Sequence, residues 1–393
     1  MVPLKYNVRN LKARGVTTLL TVVGTAALVW CSCILFGMVE GFQHSLNVSG
    51  EPEDLLILRK GSTSEVSGGF ALAKAQDLTT LDGIALSDDK RPLISLESLD
   101  VPIVERDNGG RTNLMVRGVE VPIEAGKPPV ATLLRKGFQL VEGRMLEPGK
   151  SECIIARPIS RRIKNASIGE TLRCGDKAAY RVVGIFIAGG GTAESEVWVD
   201  RVDLDRYTQN TGSVSSVQMR SRSPADLKAL QNTIENDTRF VLKAWNEPAY
   251  YAEQQLTGDF LKLFGAVIAV LLTLGAMFAT TNTMLAAVSN RMREIGTMRA
   301  IGFSRFEILI SFLFESLLLC ALGGVLGLLL TLPLSMFTFG SALSFFEQTF
   351  SFRFGPLVMG TAFGMVLAMG LFGGLFPAFR AVNMSVINAL REL

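Results

Sequence analysis

The chain has 393 residues, 48% of them hydrophobic and only 19% charged, with 38 glycines and a net charge of +3. That is too apolar for an ordinary soluble protein and too polar for one wholly embedded in lipid, so membrane and aqueous parts are combined. The small positive excess sits where membrane topology needs it, which leaves nucleic-acid binding without support.

Residues 1–15 open the chain. Leu4, Val8 and Leu11 recur at helical spacing opposite Lys5, Arg9 and Lys12, which predicts an amphipathic helix on the inner membrane surface. The same cations also read as a plain topological flank. An apolar run from Val16 to Val39 follows. A bilayer core about 30 Å thick needs roughly 20 apolar helical residues. The run is too long for a signal-peptide core and no convincing small-residue cleavage site follows it, so a retained first span over 16–39 is expected.

Residues 40–259 read as an aqueous α+β domain, long enough for one or two compact subdomains. Short strands are predicted at Leu55 to Leu58, Val101 to Glu105, Leu114 to Val119, Glu152 to Ala156, Arg181 to Ile187 and Glu196 to Val199, between Gly, Pro, Asn and Asp punctuation. Val214 to Arg220 alternates like a strand. Ser223-Pro224 then supplies an N-cap and a first-turn proline, Leu227, Leu230 and Ile234 form a helical stripe, and Phe240 to Ala244 resumes as strand.

Five cysteines make no framework: Cys31, Cys33 and Cys320 fall in apolar runs. Cys153 and Cys174 lie in the aqueous domain, where they either form one disulfide or stay reduced, and spacing alone does not place their Cβ atoms together. His44 is the only histidine, so neither a zinc site nor a Ser-His-Asp constellation has material to draw on. Gly189-Gly190-Gly191 is followed by Thr192-Ala193 with no lysine, so it is an ordinary surface turn rather than a phosphate-binding loop. Asn47-Val-Ser49 and Asn165-Ala-Ser167 fit a glycosylation triplet that arises readily by chance.

Three further spans are expected at 260–289, 307–338 and 356–379. Between the last two lies a short outside loop, 339–355, and after them a tail, 380–393. Lys5, Arg9, Lys12 and Arg14 precede the first span, Arg291, Arg293, Arg299 and Arg305 separate the second from the third, and Arg380 follows the fourth. These flanks place both termini and the 290–306 segment in the cytoplasm and the 40–259 domain outside. The fold class is therefore an α-helical membrane protein with four transmembrane helices and an α+β extracytoplasmic domain between the first and second. Gly323/Gly327, Gly360/Gly364 and Gly370/Gly374 have the GxxxG spacing that lets helix backbones approach, within the chain or against a second copy. Gly360 and Gly364 are the candidate packing pair. Glu315, about two turns into the third span, reads as structural in preference to ion coupling.

The 290–306 segment is the most informative stretch. Met292, Ile295, Met298 and Arg299 recur at three- and four-residue spacing, predicting that the helix of the second span continues through it. Gly302 stops that helix, and Ser304-x-x-Glu307 is a capping box that starts the next. The result is a stiff basic elbow, which is either a docking element or a topological hairpin tip.

Arg291-Met-Arg-Glu-Ile-Gly-Thr-Met-Arg-Ala-Ile-Gly-Phe-Ser304 resembles the signature of the MacB/FtsX-type permeases of ABC systems. Asn7 to Arg14, Phe314-Glu315 with Gly323-Gly324, Pro377 to Ala381 and Ala389-Leu-Arg391 resemble the family's surface helix, third span and C-terminal ending. In the outside domain, Val116-Arg-Gly-Val119, Val141-Glu-Gly-Arg144, Ile168 to Thr171 and Val182 to Ile185 resemble its strands and turns. Phe303 departs from the usual alanine, and Val386 from a frequent proline.

The resemblance implies a permease without a fused ATPase, with no catalytic, cofactor or metal site of its own. It is driven by a separate ABC ATPase dimer that carries ATP and Mg. It further implies a second permease copy, a homodimer rather than a heterodimer, a periplasmic membrane-fusion adaptor, and residence in the bacterial inner membrane. Coupling to the ATPase would fall on Arg291, Arg293, Glu294, Ile295, Gly296, Met298, Arg299, Ala300 and Gly302. The function implied is mechanotransmission that exports or extracts an amphipathic or lipophilic substrate. Lipoprotein release, and an FtsX-like switch on an outside partner, are the alternatives.

Overall fold

The computed structural model describes residues 15–124, 126–175, 178–336, 338–341 and 348–383. All but Gly15 of the expected surface helix of residues 1–15, and most of the 380–393 tail, including Val386 and Ala389 to Arg391, lie outside these. Two compact units emerge: Met1–Gly41, Gly258–Phe337 and Phe352–Leu393 form one, and Phe42–Thr257 with Thr338–Ser351 form the other.

The first unit is helical. Helix α1 spans Gly15–Ser49, and four stretches, Gly15–Ser49, Lys262–Ser289, Arg305–Leu334 and Pro356–Asn383, are long and apolar enough to cross a membrane. Large side chains such as Leu20, Leu271, Phe278, Leu329, Phe363 and Phe376 stand exposed on them, as lipid-facing residues do. Inside, Val29, Cys33, Phe36, Ala276, Cys320, Ala362 and Met369 form one core.

Glycines bring the helices together, but within the chain the candidate pair Gly360 and Gly364 does not do so. A Cβ at Gly327 would lie 2.7 Å from the Ala26 carbonyl oxygen and one at Gly374 2.6 Å from the Ser316 Cβ, whereas Cβ atoms at Gly360 and Gly364 would meet nothing within 4 Å. Gly323/Gly327 and Gly370/Gly374 therefore carry the close approaches. Among the described residues Gly360 and Gly364 pack against no helix of their own chain, because a helix has only one side turned to its bundle.

The second unit is α+β. Its strands are β1 (Asp54–Arg59), β2 (Phe70–Ala71), β3 (Ile94–Asp100), β4 (Ile103–Glu105), β5 (Arg111–Asn113), β6 (Met115–Val119), β7 (Phe138–Gly143), β8 (Glu152–Ala156), β9 (Thr171–Cys174), β10 (Ala178–Ala188), β11 (Glu196–Asp200), β12 (Ser213–Val214), β13 (Ser216–Arg220), β14 (Leu242–Asn246), β15 (Thr338–Ser341) and β16 (Gln348–Ser351). A ten-stranded sheet runs β14-β1-β13-β3-β6-β11-β8-β10-β7, with β9 added to β10. The β6·β11 and β8·β10 pairs are parallel; the other pairs in it are antiparallel.

Short helices α2 (Leu72–Leu78), α3 (Val130–Leu134), α4 (Arg157–Ser160), α5 (Arg201–Thr208) and α6 (Pro224–Asn236) pack around the sheet. Two cores divide it, one around Trp198, Phe186 and Tyr180, the other around Leu55, Val217 and the buried α6 stripe of Leu227, Leu230 and Ile234. Strands β13 and β14 flank β1, each antiparallel to it. The β13-α6-β14 segment is thus a split βαβ unit. Ser223 caps α6 by accepting a hydrogen bond from the Asp226 N–H. Strand β14 starts at Leu242, later than expected, because Val241 has φ +52°, and the left-handed region breaks an extended run.

Cys153 and Cys174 are free and buried. Cys153 lies opposite Val182 on one side of β10, and Cys174 opposite Ala178 on β9. Four residues of strand amount to about 13 Å, well beyond the roughly 7 Å Cα separation a disulfide tolerates. The Gly189–Gly191 turn is also filled, since the Glu194 carboxylate accepts hydrogen bonds from the Ala188 and Gly190 N–H groups at 2.9 Å.

A candidate coupling elbow

Helix α7 (Glu247–Ser289) ends before the basic segment, and a separate helix, α8 (Met292–Ala300), carries it. The expected continuous helix is broken at Asn290 and Arg291, where Arg291 adopts φ −118°, ψ 20°. The break has a cause in packing. It turns the Arg291 side chain inward, where Nη1 donates to Glu315 Oε2 at 3.0 Å on α9 (Arg305–Thr331), Nε donates to Glu294 Oε2 at 3.1 Å, and the guanidinium lies 5.4 Å from the Phe312 ring centre. The Arg291 and Glu315 side chains are only 7% and 5% exposed.

The far end of α8 is closed as firmly. Gly302 has φ +108°, its N–H bonds the Arg299 carbonyl and the Phe303 N–H bonds the Met298 carbonyl, the paired bonds of a Schellman motif that only glycine enters without strain. Ser304 Oγ then accepts from the Glu307 N–H at 3.2 Å while Glu307 Oε2 accepts from the Ser304 N–H at 3.0 Å. That completes the capping box of α9. Arg299 Nη1 reaches the Val382 carbonyl at 3.2 Å, near the end of α10 (Pro356–Asn383), where a cation meets the negative end of the helix dipole.

These bonds sort the candidate residues into two sets. Arg291, Ile295 and Gly296 are buried, so they hold α8 to its own bundle and are not open to a partner. Ile295 joins Met284, Val288, Phe312 and Ala381 in a core, with Met298 half-buried against it. The outward face consists of Arg293, Glu294, Thr297 and Ala300, followed by Ile301, 74% exposed, and Gly302. Sequence periodicity missed this division because Arg291 was counted among the flank cations and the coupling residues, with no partner inside the bundle. The carboxylate of Glu315, 24 positions on in an apolar run, was the signal for its partner.

The outside unit holds a second buried charge cluster that sequence reading did not single out. Arg117, in the middle of β6, forks onto Glu196 through Nε at 2.8 Å and Nη2 at 2.7 Å, while Nη1 donates to Glu65 at 2.7 Å and Glu97 at 2.5 Å. Arg135 donates to Glu97 at 2.8 Å, and Trp198 Nε1 to Glu196 at 2.8 Å. Burial opposes charge on Glu97, but Arg135 and Arg117 outweigh it and hold the carboxyl below the usual range. A lone arginine inside the apolar strand of Val116-Arg-Gly-Val119 was the available signal. Its role is architectural: it ties the three central strands together.

Nearby, Glu247 at the start of α7 accepts from the Glu51 N–H at 3.0 Å and from Gln218 Nε2 at 2.9 Å. Burial raises its pKa from 4.5 to about 8. Among the described residues no group of three or more His, Cys, Asp or Glu side chains could hold a metal ion.

A family model described as the MacB-like periplasmic core domain matches residues 18–237, and one described as the FtsX-like permease C-terminal region matches 266–386. Among curated proteins, the macrolide export ATP-binding/permease protein MacB 1/2 of Paracoccus denitrificans (strain Pd 1222) is 26% identical over 236 residues, covering 58% of this chain and 34% of that protein. MacB 2 of Yersinia pestis bv. Antiqua (strain Antiqua) is 29% identical over 224 residues, covering 54% of this chain and 32% of that protein. The chain thus spans about a third of the length of these relatives. Among solved structures, the periplasmic region of MacB from Actinobacillus actinomycetemcomitans aligns with 53% of this chain and 94% of its own, at 11% identity and a TM-score of 0.38. With one family model over the first helix and most of the outside domain and another over the later helices, the chain belongs to the MacB/FtsX-like family of ABC transporter permeases.

Proposed function

We propose that this chain is a membrane subunit that converts the movement of a separate ABC ATPase dimer, which carries the ATP and Mg, into movement of its outside domain. That movement exports or extracts an amphipathic or lipophilic substrate. The observation that carries the reading is the elbow. Helix α8 is clamped at its start by Arg291 to Glu315, at its end by the Gly302 turn and Ser304 cap, and to α10 by Arg299, while the side chains of Arg293, Glu294 and Ile301 on its other side are solvent-exposed among the described residues. A push on that face cannot be absorbed by a floppy loop. It passes to α9 through the buried ion pair and to α7 through the shared core, and α7 runs unbroken from Ser289 back to Glu247, the residue that follows β14 in the chain.

Docking falls to Arg293 and Glu294, which offer both charges, and to Ile301, whose exposed side chain fits an apolar pocket. A second copy of the chain fits a groove of about 710 Å³ along α1 and α7, lined by Thr21, Gly24, Thr25, Thr280, Thr283 and Asn290, since small and hydroxylated residues favour helix association in lipid. The machine would sit in a bacterial inner membrane with its elbow in the cytoplasm, and an adaptor would meet the outside domain.

The test is purification from the native membrane in mild detergent, identification of the copurifying chains, and measurement of ATPase activity with and without the permease. An ABC ATPase should copurify, and Glu294→Lys and Ile301→Asp should each abolish its stimulation by the permease, with Ile301→Asp leaving the permease melting temperature unchanged. Absence of any ATPase, or normal stimulation in both variants, would sink the reading.

A further inference from the structure

A cavity of about 100 Å³ lies within the α+β unit, where the last turns of α1, the short turn Glu65–Ser67 and the first turn of α7 converge. Since a water takes up roughly 30 Å³ in the liquid, the cavity admits a ligand of about three or four heavy atoms. Phe42, Tyr250 and Tyr251 line it with aromatic surface, the two tyrosine rings standing edge-on with centres 5.4 Å apart.

Two polar side chains on its wall have hydrogen-bonding capacity that the fold leaves unused. Glu65 is 9% exposed, and its Oε2 accepts from Arg117 at 2.7 Å and from Ser216 Oγ at 3.2 Å. Its Oε1 bonds no described residue, yet it is not among the sealed oxygens of the unit: the side chain keeps 11% of its surface. Ser45 is 6% exposed, and its hydroxyl likewise has no partner among the described residues and is not sealed. Both groups face the same cavity.

The cluster behind Glu65 is also short of cations. Arg117 and Arg135 are its guanidinium groups, and Glu65, Glu97 and Glu196 its carboxylates, so carboxylates outnumber guanidinium groups by three to two. Residues 252–261, which continue α7, and residues 342–347 contain no lysine or arginine that could redress this. A carboxylate oxygen open to a small cavity with aromatic walls, in such a cluster, suits a cationic guest. A metal ion suits it poorly, because Arg117 already stands at the same carboxylate, and among the described residues no three His, Cys, Asp or Glu side chains could hold one.

We propose that this cavity binds a small primary alkylammonium of two or three carbons, its N–H groups donating to Glu65 Oε1 and Ser45 Oγ and its alkyl part resting on Phe42, Tyr250 and Tyr251. A primary amine is specified because two acceptors need two N–H donors and the space admits no bulkier cation. An occupied cavity ties the end of α1 to the start of α7, the two helices that bound the Phe42–Thr257 segment. The site depends on neither the elbow nor the ATPase.

Ethylamine is the probe, titrated against the whole chain in detergent and observed by saturation-transfer NMR, with ethanol as its neutral counterpart and potassium chloride as an inorganic competitor. A ligand of this size should bind with a Kd of about millimolar, near the limit for so few atoms. Ethanol should bind at least about ten-fold more weakly, Glu65→Gln should weaken ethylamine about ten-fold, and Ser45→Ala about three-fold. Glu65→Gln leaves Arg117 its bonds to Glu97 and Glu196. Ser45→Ala removes only an unpartnered hydroxyl, so without ligand its melting temperature should equal or exceed that of the parent, which separates lost binding from lost fold. No binding, equal binding of amine and alcohol, displacement by an equal concentration of potassium, or undiminished affinity in either variant would overturn the assignment.

Discussion

Removing one member of the Arg291–Glu315 pair should unsettle the membrane unit far more than removing both. Breaking a buried ion pair from one side costs about 3–5 kcal/mol, because the remaining charge keeps its desolvation penalty, whereas replacing both by apolar residues of similar volume is often neutral. Here the side chains are 7% and 5% exposed and 3.0 Å apart, so water does little for a survivor. In Glu315→Leu, Arg291 keeps the half-exposed Glu294 at 3.1 Å, and the loss should fall at the lower end of that range, near 3 kcal/mol. In Arg291→Met the loss should fall within the same range of about 3–5 kcal/mol. On the scale of a domain of 150–250 residues each kcal/mol is worth roughly 2–4 °C. The assay is thermal unfolding in detergent followed by intrinsic fluorescence, for the parent, both single variants and the Arg291→Met/Glu315→Leu double variant. Single losses of about 6 °C or more, largely recovered in the double variant, are expected; single variants within a degree or two of the parent would show that the pair carries no structural load.

Two further outcomes follow from the same structure. Gly327→Val places methyl groups where a Cβ alone already sits 2.7 Å from the Ala26 carbonyl oxygen, and should cost about 1–3 kcal/mol through forced separation of α1 and α9; Gly364→Val, with nothing within 4 Å, should leave the melting temperature of the isolated chain unchanged, and a loss there equal to that of Gly327→Val would contradict the helix packing. Glu247 binds a proton in the folded chain that the unfolded chain releases, between its ordinary pKa of 4.5 and about 8. The stabilisation is therefore complete below about pH 4.5 and lost as pH rises through about 8. Melting temperature should fall between about pH 4.5 and about pH 8 and level off above it, and Glu247→Gln, which keeps the size and one of the two acceptor oxygens without the titrating group, should flatten that fall; an identical fall in the variant would assign the pH dependence to other groups.

Much of this was legible in the chain itself. The four spans follow from apolar length, which no soluble fold needs and a bilayer imposes. The Ser304/Glu307 box and the Ser223 cap follow from local hydrogen bonding, whose donors and acceptors lie within three residues. The strands from Glu152 to Ala156 and from Glu196 onward follow from β-branched and apolar runs between turn residues. Local physics of this kind is written residue by residue.

What tertiary structure decided are the relations between distant residues. Periodicity could not tell that α8 breaks from α7 at Arg291, because the break exists to deliver a guanidinium to Glu315, 24 positions away. The GxxxG spacing recurs in three places, and only the assembled bundle turns Gly327 and Gly374 inward and Gly360 and Gly364 outward. Strand register, set by the whole sheet, keeps Cys153 and Cys174 apart. It also surrounds Arg117 with three carboxylates drawn from β3, β11 and the Glu65 turn. By itself the sequence determined the apolar spans, the helix caps and several of the strands, since those depend on near neighbours and on the solvent each segment must meet. Which faces point inward, and which charges find partners, depended on residues brought together only when the chain closed on itself.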